Sequence, residues 1–239
     1  YLNITDGADV VSNCPESTAV MFYARPGGEG ILTVMGASLT ANGWYPGGEA
    51  RGIFFSRLGT GTAKFYLRLA DNAVVRANKV AVLSGHTLQH QYNASSGGMY
   101  FNGDAGIVYG AVTLQEDLSI GKGETLTISN GASLTIPESV SLINEGAVTG
   151  ADGSIVNNGT IYNSGALPEG ITGSGSQSEI PTYSLNCPDK VELVNHENDF
   201  YQAQFDLSLD DNSILGEDGK VVVYGTYRKA DMVLKNEGD

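Results

Sequence analysis

The five-residue word Gly-Ala-Ser-Leu-Thr occurs twice in this chain, at 36–40 and at 131–135. Each copy sits in a longer match, 32–41 against 126–136, and a looser copy runs from Leu67 to Ala77. A repeat this short cannot bury its own apolar face. It must stack on the next copy, which points to a repeat architecture. Between 112 and 165 the rhythm becomes regular. Apolar pairs flank one middle residue at Val112/Leu114, Leu118/Ile120, Leu126/Ile128, Leu134/Ile136 and Val140/Leu142, followed by single centres at Val148, Ile155 and Ile161. Each triplet suits a very short strand with two side chains inward and one outward. The breaks hold Gly123, Asn130, Gly131, Asn144, Gly146 and their like, residues that tolerate the positive φ of sharp corners. Hairpins explain so long a series of such short strands poorly. Three short strands per turn give a coil of about 20–24 residues, with coils stacked about 4.8 Å apart.

The predicted fold class is therefore all-β: a right-handed parallel β-helix or solenoid with a C-terminal antiparallel β-sandwich-like module. In the first half, strands are expected at 19–24, 31–35, 38–41, 52–55, 64–69, 73–77 and 80–83. Two insertions interrupt them, at 42–51 and 85–98. Residues 1–18 are expected to cap the open end, whose edge would otherwise template aggregation. The solenoid with its cap is assigned to 1–169. The Gly/Ser-rich stretch opening 170–181 reads as a flexible linker. From 182 to 239 the strands lengthen, with alternation at Tyr183/Leu185/Cys187 and Phe205/Leu207/Leu209 and further strands at 221–224 and 232–234. This reads as antiparallel β. At that length the module is expected to be incomplete, and the chain, opening on Tyr1, to be a piece of a longer precursor.

Composition agrees. Gly accounts for 32 of 239 residues, and no long stretch keeps a helical apolar period. The formal net charge of −14 argues against nucleic acid and anionic membranes, which need clustered Lys and Arg. It favours repulsion between copies, so a monomer is expected. The deficit is uneven: residues 182–239 carry 12 acidic and 5 basic side chains, which supports a boundary near 180. Cys14 and Cys187 read as two small, partly buried thiols rather than a disulfide framework. No signal peptide or transmembrane run is present.

The stretch from Val112 to Gly165 resembles the solenoid repeats of large surface proteins from gut Firmicutes. Their coils read L-T-I-x-x-G-x-x-L-T-I followed by N-x-G-x-I-x-N-x-G. Here these are residues 126–136 and 157–165. Residues 182–193 look like the opening strand of the β-sandwich modules that follow such solenoids. The resemblance implies an architecture and a secreted, cell-surface location. It carries no catalytic motif and no functional residue.

Six residues in the insertions are the candidate ligand-binding set: Trp44, Tyr45, Arg51, His86, His90 and Tyr92. Trp44 is the sole Trp and lies in a Gly/Pro-rich insertion, not on a repeat strand. With Tyr45 it would stack on sugar rings or anchor a protein; the plainer alternative folds it over a corner of the core. His86 and His90 would share a face on a helix and suit a metal, but no third ligand lies near. Solvated loop histidines are the plainer expectation. The insertions begin about two coils apart, so the two loops are expected to emerge on one side and form one surface. The acids at Asp210, Asp211, Asn212, Glu217 and Asp218 do not fit an EF-hand loop and read as charged turns.

No catalytic residue, metal or cofactor is expected. The expected function is a non-catalytic binding or adhesion module of a bacterial surface protein. Its partner is expected to be a glycan or a host surface protein, a secreted immunoglobulin among the candidates. A structural spacer and a polysaccharide-active β-helix enzyme are the alternatives. A buried Trp44 would favour the spacer; three or more carboxylates converging in a groove would favour the enzyme.

Overall fold

A computed structural model describes residues 1–45, 49–180, 192–196, 200–206 and 220–223. Among these residues the fold is all-β and most strand pairs are parallel. Two compact units are present, 1–180 and 181–239.

The first unit begins as three-sided coils. The first coil contributes β1 (Leu2–Thr5), β2 (Asp9–Cys14) and β3 (Val20–Ala24). The second contributes β4 (Glu29–Met35), β5 (Ser38–Tyr45), the short β6 (Glu49–Ala50) and β7 (Ile53–Arg57). The third contributes β8 (Lys64–Ala70), β9 (Ala73–Ala77) and β10 (Val80–Val82). A fourth, partial coil has β11 (Leu88–Tyr92) and β12 (Gly98–Asn102). Each strand pairs in parallel with its counterpart one coil away, giving the orders β1-β4-β8-β11, β2-β5-β9-β12 and β3-β7-β10. β6 folds back on β5 as a hairpin, with Trp44 opposite Ala50 and Tyr45 opposite Glu49. Ile4, Phe22, Leu32, Leu39, Phe55 and Phe65 fill the interior.

β12 then turns tightly into β13 (Ala105–Tyr109), and this pair is antiparallel. Strand direction therefore reverses. From here a second stack winds through β14 (Ala111–Thr113), β15 (Leu118–Ile120), β16 (Thr125–Ile128), β17 (Ser133–Ile136), β18 (Ser141–Asn144), β19 (Ala147–Thr149), β20 (Ile155–Asn157), β21 (Thr160–Asn163) and β22 (Ser176–Ser178). Its sheets are β13-β16-β19, β14-β17-β20 and β15-β18-β21-β22. Val112, Leu134 and Ile155 form one inward column, and Leu118, Leu142 and Ile161 another. The chain returns to the same column after about 20 residues, as the repeat period requires.

The sheet β2-β5-β9-β12-β13-β16-β19 runs through both stacks, but their cores lie on opposite faces of it. On β12, Tyr100 belongs to the first core, whereas Met99 and Phe101 belong to the second. On β9, Val75 faces the first core and Val74 packs against the second. Reversing strand direction inverts the winding sense; exchanging the core face inverts it again. Both stacks therefore wind in the same sense, displaced sideways across one shared sheet.

Three expectations change. Residues 1–18 supply β1 and β2 and so form the first coil rather than a separate cap. The 85–98 insertion is not all loop: it contains β11 and ends at the first residue of β12. The segment expected as a linker carries β22, paired with β21, and the unit boundary falls after Ile180. The corners also differ in mechanism. The corner Asn residues between 112 and 165 keep negative φ; the only non-Gly residues with positive φ among the described ones are Asp6, Asp71 and Asn72. The corner Asn side chains instead bridge coils, as Asn144 Nδ2 donates to Asn163 Oδ1 at 2.7 Å and Asn157 Nδ2 to the Ser176 carbonyl at 2.9 Å. Gly159 is small because coils approach closely: a Cβ there would land on the carbonyl oxygens of Pro137 and Val140.

The second unit's described strands are β23 (Glu192–His196), β24 (Phe200–Asp206) and β25 (Lys220–Val223), an antiparallel sheet in that order. The expected strand at Tyr183–Cys187, the strand at 232–234 and the acids from Asp210 to Asp218 lie outside the described residues.

Two glycine substitutions separate corner conformation from coil contact. Gly131 has φ +76° with open space around its would-be Cβ, so Gly131→Ala should cost only the left-handed penalty of about 1 kcal/mol. Gly159→Ala must push backbones apart, at about 1–3 kcal/mol or more. Leu134→Ala, in a column with no exposure, should cost about 2–5 kcal/mol. Urea midpoints should rank Gly131→Ala as the mildest of the three.

Candidate functional site

The six candidate residues fall into two groups on different sheets. His86, His90 and Tyr92 belong to the fourth coil. β11 pairs with β8, placing Leu88 beside Phe65 and His90 beside Leu67, both core residues. His90 and Tyr92 thus point over the last turn of the first core, where no further coil follows to cover it. Tyr109 reaches over the same end from β13 and packs against that core. Its hydroxyl bonds His90 Nδ1 at 2.8 Å, and its ring stacks on Tyr92 at 5.0 Å. The His90 ring also lies 5.0 Å from Tyr100, and His86 sits 5.7 Å from Phe65. These rings pack together over the end of the core, with Nε2 of both His86 and His90 buried. Burial lowers the His90 pKa; it raises that of the Tyr100 hydroxyl, with Tyr109 adding to the effect. The histidines are thus packed closing groups rather than solvated loop residues. No cluster of three or more His, Cys, Asp or Glu able to hold a metal exists among the described residues.

Trp44 and Arg51 lie at the far end of β5. Along this strand Leu39, Ala41 and Gly43 are buried, so Ser38, Thr40, Asn42 and Trp44 alternate outward. Trp44 is 42% exposed. Arg51, just after β6, bonds Glu49 at 3.3 Å and lies 4.8 Å above the Phe54 ring. Tyr45 ends the strand. The structure thus joins His90 to Tyr92 through Tyr109 but sets Trp44, Tyr45 and Arg51 apart from them, at the end of the shared sheet.

A third feature was not foreseen. The second stack covers the outer face of the shared sheet over β12 and reaches Val74 and Arg76 on β9, leaving a step beside β5 and β2. Residues 114–118 rise beside β9, β5 and β2, and a cavity of about 420 Å³ lies in the angle. Its lining includes Asp9, Ser38, Val74, Arg76, Gln115 and Glu116. Asn72 Oδ1 ties the two walls together by accepting the Thr113 N–H at 2.7 Å. Arg76 lies 3.8 Å over the Phe101 ring; burial lowers its pKa, opposed by Glu124 and Glu116. The carboxylates of Asp9, Asp71, Glu116 and Asp117 all line the cavity. Two are engaged locally: Asp9 accepts from the Ser38 hydroxyl, and Asp117 from the Ser141 N–H at 2.7 Å. The step arises from a change of core face, which no local pattern announces.

Cys14 is a free, half-buried thiol; Cys187 lies outside the described residues. No family model matches this chain, and no match is found among curated proteins or solved structures.

The closing role of His90 has a pH signature. Its pKa is lowered in the folded chain, from about 6.5 in the unfolded one. Its contribution to stability is then fully present above about pH 6.5 and lost as pH falls through the lower folded value. Urea unfolding at pH 7 and pH 5 should show a larger loss for the wild type than for His90→Gln; equal losses would assign the titration to another group. Tyr109→Phe, which removes the bond to Nδ1, should cost about 1 kcal/mol.

Proposed function

We propose that this chain is a non-catalytic binding module of a secreted bacterial cell-surface protein. Its first unit acts as a right-handed parallel β-solenoid and its second as a β-sandwich-like module. The partner is a glycan or a host surface protein, a secreted immunoglobulin among the candidates, and the module acts as a monomer without a cofactor. One observation carries the reading: Trp44 points outward from β5 with 42% of its surface exposed. A Trp serving the core would be buried, and a spacer has no use for an apolar ring held in water. An aromatic ring at the end of a rigid strand is a preformed contact for a sugar face or a protein pocket. The resemblance of 112–165 to bacterial surface repeats supports the location, and the net charge of −14 suits a solvated surface module.

A second reading draws on the cavity. Four acidic residues line it, and carboxylates converging in a groove would favour a polysaccharide-active enzyme. Release of reducing ends or unsaturated sugars from a polysaccharide by the purified chain would establish that activity. The engagement of Asp9 with Ser38 and of Asp117 with the Ser141 N–H favours a structural role for two of the four.

The binding reading is tested on Trp44 and Tyr45. A glycan array and a pull-down from host mucus should each be run with wild type and with the Trp44→Ala, Tyr45→Ala double variant. Binding should fall more than tenfold, about 1.4 kcal/mol, with the thermal midpoint nearly unchanged. Normal binding by the double variant would move the site elsewhere, and unfolding would make Trp44 a core residue.

A further inference from the structure

We infer that the uncovered outer face of the shared sheet, from Trp44 to the cavity at the step, is one continuous binding surface for a linear, uncharged glycan. The inference rests on the proposed binding role of Trp44 and names its occupant.

The continuity follows from register. Ser38, Thr40, Asn42 and Trp44 share the outer face of β5. Asp9, Val11 and Asn13 stand beside the first three on β2, and Val74 and Arg76 stand beside Ser38 and Thr40 on β9. Ser38, Asp9, Val74 and Arg76 are also cavity-lining residues, so the strip and the cavity meet. From Ser38 to Trp44 the strand spans about 20 Å at about 3.4 Å per residue, the length of several pyranose rings.

The chemistry selects the class. One end offers an aromatic face for stacking. The middle offers hydroxyls and amides, with Asn42 Nδ2 donating to Asn13 Oδ1 at 3.0 Å and Val11 exposed beside Thr40. The far end is a cavity with mixed polar and apolar walls. Sugar rings present the same mixture of hydroxyls and C–H faces. A protein partner needs a larger, fully desolvated apolar centre, which small Ser, Thr and Asn side chains do not provide. Charge sets the sign. Asp9, Asp71, Glu116 and Asp117 outnumber Arg76 around the cavity, so a polyanionic glycan is repelled and an uncharged one is not.

Trp44 is the sole Trp of the chain, so its fluorescence reports on one end of the strip. The full chain is titrated with hexasaccharides of β-1,4-glucose, β-1,3-glucose, β-1,4-N-acetylglucosamine and α-1,6-mannose, with the matching disaccharides, and with hexagalacturonate as the anionic control. At least one uncharged hexasaccharide should shift the emission and bind at least tenfold more tightly than its disaccharide. The Asn13→Ala, Asn42→Ala double variant and Gln115→Ala, each checked for an unchanged thermal midpoint, should weaken the hexasaccharide at least fivefold. Hexagalacturonate should leave the emission unchanged. Binding that depends on Trp44 but not on chain length, Asn13, Asn42 or Gln115 would overturn the strip and keep the Trp44 reading. Silence of all hexasaccharides alongside Trp44-dependent capture of a mucus protein would overturn the glycan and keep the Trp44 reading. Silence of both would overturn both. Equal binding of hexagalacturonate would overturn the charge argument on which the class rests. Cleavage of a bound hexasaccharide would support the occupant and overturn the non-catalytic reading.

Discussion

Hairpin β12–β13 sets Met99 opposite Val108 and Phe101 opposite Gly106, and these side chains face away from the core that the preceding coils have built. A strand buried on both faces by two different cores is the junction on which the unit depends. Phe101 needs Gly106 across from it, since a Cβ there would meet the Phe101 ring and Leu126. On the other side Arg76 covers the same ring, so a row of Arg76, Phe101 and Gly106 seals the start of the second core. The guanidinium gives up some hydration to lie there, which is why burial dominates its lowered pKa. Its partial pairing with Glu124 and Glu116 keeps the charge tolerable.

The opposite problem arises where the first core ends. Its last turn has no further coil to pair with, and an open apolar end would be an aggregation surface. The chain closes it with a cluster of rings: His86, His90, Tyr92, Tyr100 and Tyr109. Their polar atoms are partly taken up within the protein, as His90 Nδ1 by the Tyr109 hydroxyl and His86 Nδ1 by the Ser84 carbonyl, while Tyr92 is left exposed at the rim. The two cores thus end by different means, a cation over an aromatic in one case and a cluster of His and Tyr in the other. In both, the closing residues come from the reversal itself or from the coil just before it.

Much of this was legible in the sequence, and the misses share a cause. The inward pairs from Val112 to Leu142 are visible because each core position wants a Leu, Ile or Val and each outer position does not. The strands from Lys64 to Ala77 show through for the same reason. β12 does not, because Gly98 to Phe101 are buried throughout and so lose the alternation that marks a one-sided strand. β11 hides because its inward positions are His90 and Tyr92, chosen to end a core rather than to fill one. The Gly/Ser segment at 170–178 reads as a linker, yet Gly173 and Gly175 press onto the backbone and side chain of Asn157, so smallness there serves contact. The site was half legible: the sole Trp is conspicuous, but that it shares a face with Ser38, Thr40 and Asn42, and that this face leads to a step, depends on the change of core at β12.

Two Asn ladders show how one local device is put to different ends in the two stacks. Asn144 is fully buried, and its Nδ2 donates to both Asn163 Oδ1 and the Ala166 carbonyl, holding coils together, while its Oδ1 has no partner among the described residues. Asn42 and Asn13 form the same kind of cross-coil bond, but on the open face of the shared sheet, where their remaining donors and acceptors meet solvent. A buried amide has only the protein to bond, and the Asn144 donor is used in that way; an exposed amide is satisfied by water and can exchange that water for a ligand hydroxyl at little cost. The second stack would have covered this face had it continued along the first. Because the reversal carries it to the other side of β12 and it reaches no further than β9, the exposed ladder, the outward Trp44 and the cavity are left on one surface. This open strip is in this sense a consequence of the topology, set by the same hairpin that keeps both cores closed.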